Sequence, residues 1–101
     1  DKFMAIVHGD EERVINGDAA TCLPELPYSG LSKFGSTFLS KFQVLVENAD
    51  ILSHVTFVDT PGVLSGDKQR HSRGYDFVKV CQWLAARCDL VLLLFDAHKL
   101  D

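Results

Sequence analysis

The sequence predicts an α/β fold in which a mostly parallel sheet is flanked by helices. Short apolar runs of strand length alternate along the chain with segments whose apolar residues recur at helical spacing. The run at residues 90–95 is apolar at every position, which is typical of a parallel strand buried on both faces. With 101 residues, the chain is long enough for one small α/β domain but not for two.

The first half of the chain predicts one strand, one long loop and one helix. Residues 3–7 form a short apolar run and are predicted as a strand. Residues 8–32 carry three glycines and two prolines, so they are predicted as a long loop, which is usually functional or mobile. Five apolar residues at helical spacing then predict an amphipathic helix over residues 35–47. These are Phe34, Phe38, Phe42, Leu45 and Val46.

The second half predicts a strand, a break, a helix and a last strand. Residues 51–58 are predicted as a strand, which is followed by breaking residues and then by the basic segment 67–73. Asp76 is predicted to cap the next helix, because its carboxylate can accept free N–H groups of the first turn. The run at residues 90–95 is predicted as the last strand. The apolar face of the helix is predicted to be Phe77, Val80, Cys81, Leu84, Ala85 and Cys88.

Composition and charge exclude several classes of protein. Hydrophobic residues make up 47% and charged residues 24% of the chain, the ordinary balance of a soluble globular protein. The formal net charge of −4 argues against a general nucleic-acid-binding protein. No apolar run approaches the roughly 18 residues of a membrane span. Three cysteines without close pairing indicate a reducing compartment, and we expect Cys81 and Cys88 to be buried apolar residues rather than metal ligands.

The informative motif is Asp59-Thr60-Pro61-Gly62, which follows the predicted strand 51–58. A carboxylate at the carboxyl end of a strand points into the crevice where open α/β sheets bind ligands. There it can hold Mg²⁺ through water, because Mg²⁺ keeps several of its waters. Gly62 lets the backbone approach a terminal phosphate closely enough for its N–H to donate a hydrogen bond. The pattern therefore predicts the phosphate-sensing segment of a P-loop nucleotide hydrolase, in which loss of the phosphate frees the segment that follows.

A strand-ending turn is the simpler explanation of this motif, because Asp, Pro and Gly all suit turns. Two sequences that a nucleotide hydrolase also needs do not occur in the chain: a Gly-x-x-x-x-Gly-Lys-Ser/Thr phosphate loop and a base-reading Asn-Lys-x-Asp. The chain opens on one apolar run and stops just after another. We therefore expect both ends to be cuts inside a larger domain, with the first strand and phosphate loop before Asp1 and the base-reading loop after Asp101.

Several segments together resemble one family, the EH-domain-containing (EHD) ATPases of the dynamin superfamily. The resemblance covers nearly the whole chain, and its stretch from Asp59 to Phe77 is far more specific than Asp-x-x-Gly alone. The matching segments are His8-Gly9-Asp10-Glu11-Glu12, Phe34-Gly35 with Phe38-Leu39, Asp59-Thr60-Pro61-Gly62-Val63-Leu64-Ser65-Gly66, Lys68-Gln69-Arg70, Ser72-Arg73-Gly74-Tyr75-Asp76-Phe77 and Phe95-Asp96-Ala97-His98-Lys99-Leu100.

The resemblance implies that residues 1–101 are the central part of a dynamin-type nucleotide-binding domain. The chain would hold the strand that leaves switch I, a loop–helix insert, switch II, and the helix and strand that follow. The parent protein would hydrolyse ATP, possibly GTP, with Mg²⁺, and would dimerise and assemble into rings on membranes during endocytic recycling. An EH domain elsewhere in the parent would bind Asn-Pro-Phe peptides. The expected location is cytoplasmic, peripheral at endosomal or plasma membranes.

The candidate site residues follow from the motif and the resemblance. Asp59 is the predicted catalytic residue and metal ligand, and Thr60, Pro61 and Gly62 are predicted to contact the terminal phosphate. Lys68, Arg70 and Arg73 are candidates for contacts with phosphate, with a dimer partner or with acidic groups. Arg suits planar bidentate contacts better than Lys, which favours the two arginines. The alternative for all three is a solvated polar loop.

Two other functions stay open. A Ras-like small GTPase shares the Asp-x-x-Gly motif, but the specific run after Gly62 argues against it. A non-catalytic relative of the nucleotide hydrolases, resembling the sarcalumenin-like proteins, would serve as a scaffold or binding module. An intact phosphate loop upstream would favour the enzyme, and its loss would favour the scaffold.

Overall fold

The computed structural model describes residues 2–62 and 73–94, which contain one four-stranded sheet and several short helices. The strands are β1 (Phe3–His8), β2 (Arg13–Asn16), β3 (Phe42–Glu47) and β4 (Phe57–Asp59). The α-helices are α1 (Gly17–Ala20), α2 (Gly35–Leu39) and α3 (Phe77–Ala85). Two 3₁₀ helices span Ser29–Phe34 and Asp50–Ser53.

The sheet is mixed, with the strand order β2-β3-β1-β4. Strands β1 and β3 are parallel, whereas β4 runs antiparallel to β1 and β2 runs antiparallel to β3. The predicted α/β class is confirmed at this level, a sheet with flanking helices. The prediction of a mostly parallel sheet is wrong for the described strands, because β2 and β4 both reverse direction.

One face of the sheet carries the core. The register aligns Ile15, Val44, Ala5 and Val58 across the four strands, from β2 to β4. Phe38 of α2 is fully buried on this side, where its ring meets Phe3 edge-on at 5.4 Å and stacks on Phe42 at 5.8 Å. Helix α3 packs onto the same core through its buried face, which consists of Phe77, Val80 and Leu84. Aromatic contacts thus join the helices to the middle of the sheet.

The opposite face of the sheet is largely uncovered by the described residues. On this face the register aligns Val14, Leu45, Ile6 and Phe57, again one residue from each strand. Val14 is 59% exposed and Phe57 is 45% exposed, although both side chains are apolar. We call these four residues the open apolar row. An apolar row of this kind is normally buried under a second layer of structure.

The predicted helix over residues 35–47 is wrong in its second half. Helix α2 ends at Leu39, and β3 begins at Phe42 with alternating buried and half-buried side chains. The spacing of four between Phe34, Phe38 and Phe42 does reflect contact, because Phe38 packs against both of the other rings. That contact joins a helix to the strand after it. The β-branched residues of β3 and their alternation of period two favoured a strand.

The predicted loop at residues 8–32 is also partly wrong. It contains β2, the short helix α1 and the start of the 3₁₀ helix Ser29–Phe34. Strand β2 has only four residues, and it is a strand because it pairs with β3, a partner distant in sequence. The predicted strand at 51–58 is confirmed only from Phe57 onwards. The Val55 N–H donates to the Ile51 carbonyl at 3.1 Å and closes a turn there instead.

Helix α3 begins as predicted. The Lys79 N–H donates to the Asp76 carboxylate at 3.2 Å, which confirms Asp76 as the N-cap. Phe77, Val80 and Leu84 are buried as expected, and Cys81 is half-buried. The prediction fails for Ala85 and Cys88, because the helix ends at Ala85 and both residues are exposed.

Residues 90–94 do not form the predicted strand. Their side chains are between 61% and 87% exposed, and no ladder partner meets them among the described residues. A strand that is apolar on both faces needs neighbouring strands and covering helices, and residues 2–62 and 73–94 provide neither at this position. Phe95 lies outside the described residues. No helix in the described part of the chain is long and apolar enough to cross a membrane.

Candidate functional site

Asp59 is the last residue of β4, the strand at one end of the sheet. Its register partner on β1 is Met4, and its carboxylate is exposed. Within the described residues, the outer edge of β4 has no strand partner. The structure therefore places Asp59 at the carboxyl end of a strand, as predicted. An exposed acceptor at this point is free to meet a ligand from solvent.

Gly62 lies in open space. A Cβ atom added to Gly62 would meet no heavy atom within 4 Å, whereas one added to Gly17 would lie 2.3 Å from the Leu39 carbonyl oxygen. Thr60 is exposed and Pro61 is buried, so the segment is anchored beside the sheet just before Gly62. The described part of the chain therefore gives no packing reason for a glycine at position 62.

Arg73 reaches the Gly62 backbone. Its Nη2 donates a hydrogen bond to the Gly62 carbonyl oxygen, across 11 positions of sequence. Its guanidinium also lies over the ring of Phe77 on α3, 4.2 Å from the ring centre, and the residue is only 9% exposed. The next residue, Gly74, has a φ of 76°, a left-handed conformation that suits glycine, at the turn into α3. We call the contact set of Gly62, Arg73 and Phe77 the arginine clasp.

The arginine clasp bears on the alternative that the basic residues lie in a solvated polar loop. A solvated polar loop is wrong for Arg73, because the side chain is buried and bonded within the chain. Its Nε and Nη1 atoms are also buried, and they have no hydrogen-bond partner in the described part of the chain. The sequence pointed to Arg73 as a candidate, but it carried no sign of the Gly62 partner. Lys68 and Arg70 lie outside the described residues.

The site offers one carboxylate to a cation. In residues 2–62 and 73–94, no group of three His, Cys, Asp or Glu side chains is arranged to hold a metal ion. Mg²⁺ is often bound by only one or two carboxylates, with waters and substrate phosphates completing its octahedron. Asp59 therefore fits Mg²⁺ as a single ligand, direct or through water, but the described residues do not form a complete metal cage.

A cavity of about 470 Å³ opens near the far end of β1, lined in part by His8, Arg13 and Leu26. Close by, the Glu12 carboxylate favours the protonated form of Glu47, as an acceptor for its proton and by repulsion of its negative charge, and both effects raise the pKa of Glu47. His8 is the register partner of Glu47, whereas Asp59 pairs with Met4 nearer the start of β1. The cavity is thus separate from the Asp59 site.

Cys81 lies next to the arginine clasp but is not placed as a reactive thiol. Burial raises the pKa of the Cys81 thiol, and the nearby positive charge of Arg73 only partly offsets this effect. A thiol that stays protonated at neutral pH is a poor nucleophile. Cys22 and Cys88 are exposed, and all three cysteines are free of disulfides. The expectation that Cys88 is buried is wrong.

Comparison with known proteins identifies relatives over the full length of the chain. No protein-family model matches it. The chain is 54% identical over 101 residues to EH domain-containing protein 1 of Arabidopsis thaliana and covers 18% of that protein. It is 48% identical over the same length to EH domain-containing protein 2 of Homo sapiens and to EH domain-containing protein 1 of Bos taurus, covering 19% of each. The chain thus spans about a fifth of the length of these curated relatives.

Proposed function

Because this chain belongs to the EH domain-containing protein family, we propose that it is the central part of a dynamin-type nucleotide-binding domain with the P-loop hydrolase fold. The whole protein hydrolyses ATP, or possibly GTP, and couples the nucleotide state to membrane remodelling in endocytic recycling. It acts in the cytoplasm at endosomal or plasma membranes, as a homodimer or larger oligomer. Residues 1–101 alone are expected to be inactive, because the phosphate loop lies outside them.

The observation that carries this proposal is the geometry of the Asp59-Thr60-Pro61-Gly62 segment. An exposed carboxylate ends an edge strand, and three residues later a glycine lies in space that no described atom fills. A glycine that packing does not require is explained if another group must approach its backbone closely. A terminal phosphate is such a group, because backbone N–H donors bind phosphate oxygens.

Three uncovered surfaces support a larger domain around this segment. The outer edge of β4 has no strand partner among the described residues. The apolar run 90–94, which follows α3 in the sequence, is exposed. A strand ending in the phosphate loop would pair with β4 and give residues 90–95 a neighbour of their own. Helices on the other side of the sheet would cover the open apolar row, as α/β folds require.

In the proposed mechanism, this chain supplies charge placement and one backbone contact. Asp59 would hold Mg²⁺ through water, and the ion would supply positive charge that offsets the negative charge of the nucleotide's phosphates. Gly62 donates its N–H to the γ-phosphate, with Thr60 and Pro61 setting its position beside the sheet. Phosphoryl transfer is accelerated mainly by positioning and electrostatic stabilisation, so no nucleophilic side chain is needed.

A second candidate is a scaffold of the same fold that binds nucleotide without turnover. The described residues favour neither candidate directly, because Asp59 and Gly62 would serve binding in both. Assembly contacts through Lys68 or Arg70, a switch contact through Arg73, a membrane surface contacted by other regions, and Asn-Pro-Phe peptides bound by an EH domain remain part of the proposal. Hydrolysis by the whole protein separates the enzyme from the scaffold.

The test is steady-state phosphate release by the full-length protein at saturating Mg-nucleotide. Asp59→Asn keeps the size of the side chain and removes its charge, so we expect the rate to fall on the order of 10²–10³-fold, the usual cost of losing one preorganised charge-stabilising group. Asp50→Asn is the matched control, because Asp50 is exposed in a 3₁₀ helix away from β4. A rate for Asp59→Asn within about twofold of wild type would remove Asp59 from the mechanism.

A further inference from the structure

The arginine clasp holds a backbone group that nothing else in the described residues holds. Gly62 has no heavy atom within 4 Å of the direction in which a side chain would lie, and its carbonyl accepts a hydrogen bond from Arg73 Nη2. Fixing a carbonyl fixes the plane of its peptide unit, because the peptide bond is rigid. Only the φ and ψ torsions of Gly62 then separate this plane from the N–H of the same residue.

The other end of the clasp is anchored in the core. Phe77 is 4% exposed and is the first residue of α3, and its ring lies 5.6 Å from that of Phe3 on β1. The Arg73 guanidinium lies on this ring at 4.2 Å from the centre. A desolvated cation–π contact is stronger than an exposed one, and it restricts the planar guanidinium to one orientation. The donor is therefore held on a rigid support.

Burying a guanidinium is costly unless its donors are satisfied. Of the three nitrogens of Arg73, Nη2 has a partner and the buried Nε and Nη1 have none in the described part of the chain. An apolar side chain in this position would pack on Phe77 without that cost. The arrangement is better explained by a task for Nη2 than by packing alone.

We propose that Arg73 is a positioning residue for recognition of the terminal phosphate. By fixing the Gly62 carbonyl, the clasp restricts the orientation of the adjoining Gly62 N–H so that it meets the γ-phosphate, and it links that contact to helix α3. The inference rests on the proposed function, since it needs a nucleotide at Gly62. It differs from the assembly role considered for Arg73, because the partners here are within the same chain.

The clasp predicts a selective effect on nucleotide binding. In the full-length protein, Arg73→Ala should weaken binding of a non-hydrolysable ATP analogue about tenfold, the effect of losing roughly one aligned hydrogen bond. Binding of ADP should change by less than about twofold, because ADP has no terminal phosphate for Gly62 to meet. Both affinities are measured by titration of fluorescent nucleotide analogues with Mg²⁺ present. A residue needed only for folding would weaken both nucleotides alike.

Two further variants keep the test valid if Arg73→Ala folds poorly. Arg73→Lys retains the charge and a donor but not the planar fork, so it should recover part of the preference for triphosphate. Phe77→Leu keeps an apolar helix start and removes the ring, so it should lower the preference in the same direction as Arg73→Ala. Arg87→Ala is the matched control, because Arg87 also lies over a ring, that of Trp83 at 3.7 Å, and donates to a backbone carbonyl at 2.9 Å.

The outcomes separate this inference from the proposed function. If wild-type protein prefers triphosphate and the Arg73 and Phe77 variants keep that preference, the clasp has no such role and the proposed function stands. An equal loss of preference in Arg87→Ala would likewise overturn the inference. If wild-type protein binds neither nucleotide, the proposed function fails, and the inference fails with it.

Discussion

At the scale of single residues, the two glycines at positions 17 and 62 have opposite surroundings. Gly17 is enclosed, with the carbonyl oxygens of Leu39 and Phe42 at 2.3 and 2.8 Å from where a Cβ would lie. At Gly62 no heavy atom of the described residues lies within 4 Å of where a Cβ would lie, and the Arg73 contact is to the carbonyl oxygen. The first glycine is explained by packing of α1 against the helix-to-strand connection, and for the second we propose the approach of a ligand.

This contrast predicts opposite consequences for the same substitution. Gly17→Ala should destabilise the full-length protein by about 1–3 kcal/mol, the usual cost of forcing atoms into a packed site. Gly62→Ala should leave the free energy of unfolding within about 1 kcal/mol of wild type and weaken triphosphate binding instead. Thermal unfolding and nucleotide titration measure the two effects. A Gly62→Ala protein that binds triphosphate as wild type does would leave the glycine without a functional explanation.

At the scale of elements, one face of the sheet is covered and the other is largely uncovered. The covered face packs against α2, α3 and the 3₁₀ helix Ser29–Phe34. The uncovered face carries the open apolar row, whose end members Val14 and Phe57 are about half exposed. Apolar burial is the main favourable term in folding, so a sheet with such a row is stable when another layer covers it.

Phe57 tests whether that layer exists in the whole protein. If helices cover the row, Phe57→Ala in the full-length protein should cost about 3–5 kcal/mol, as for a buried phenylalanine. Phe38→Ala provides the reference for full burial, because Phe38 is 0% exposed within the described fold itself. The measurement is chemical denaturation of both variants. A cost for Phe57→Ala below about 1 kcal/mol would mean that this face stays open.

Local patterns in the sequence predicted those elements that local chemistry determines. Strand β1, the Asp76 cap and the start of α3 follow from a short apolar run and one carboxylate placed before a helical pattern. Strand β2 and the break between α2 and β3 depend on pairing with distant partners, which local spacing does not contain. The same holds for the site: the motif indicated Asp59 and Gly62, whereas the Arg73 contact exists only after folding.

At the scale of the whole molecule, we propose that the described residues are the part of a domain that surrounds a nucleotide's terminal phosphate. A sheet edge at β4, an open apolar row and the exposed run 90–94 each lack a neighbour within residues 2–62 and 73–94. The proposed dynamin-type nucleotide-binding domain would supply all three neighbours at once. Because this one arrangement would account for three separate uncovered surfaces, they add support to the domain proposed from the Asp59–Gly62 segment.

Hydrogen exchange at the Gly62 amide of the full-length protein tests the central claim most directly. The protein is compared with Mg²⁺ plus either a non-hydrolysable ATP analogue or ADP. We predict that the Gly62 amide exchanges about tenfold more slowly, or slower still, in the triphosphate state, because a hydrogen bond to the γ-phosphate protects it. The Gly9 amide, which donates to the Glu47 carbonyl at 3.2 Å, should exchange alike in both states. Equal exchange of Gly62 with ATP analogue and ADP, both shown to be bound, would contradict the account.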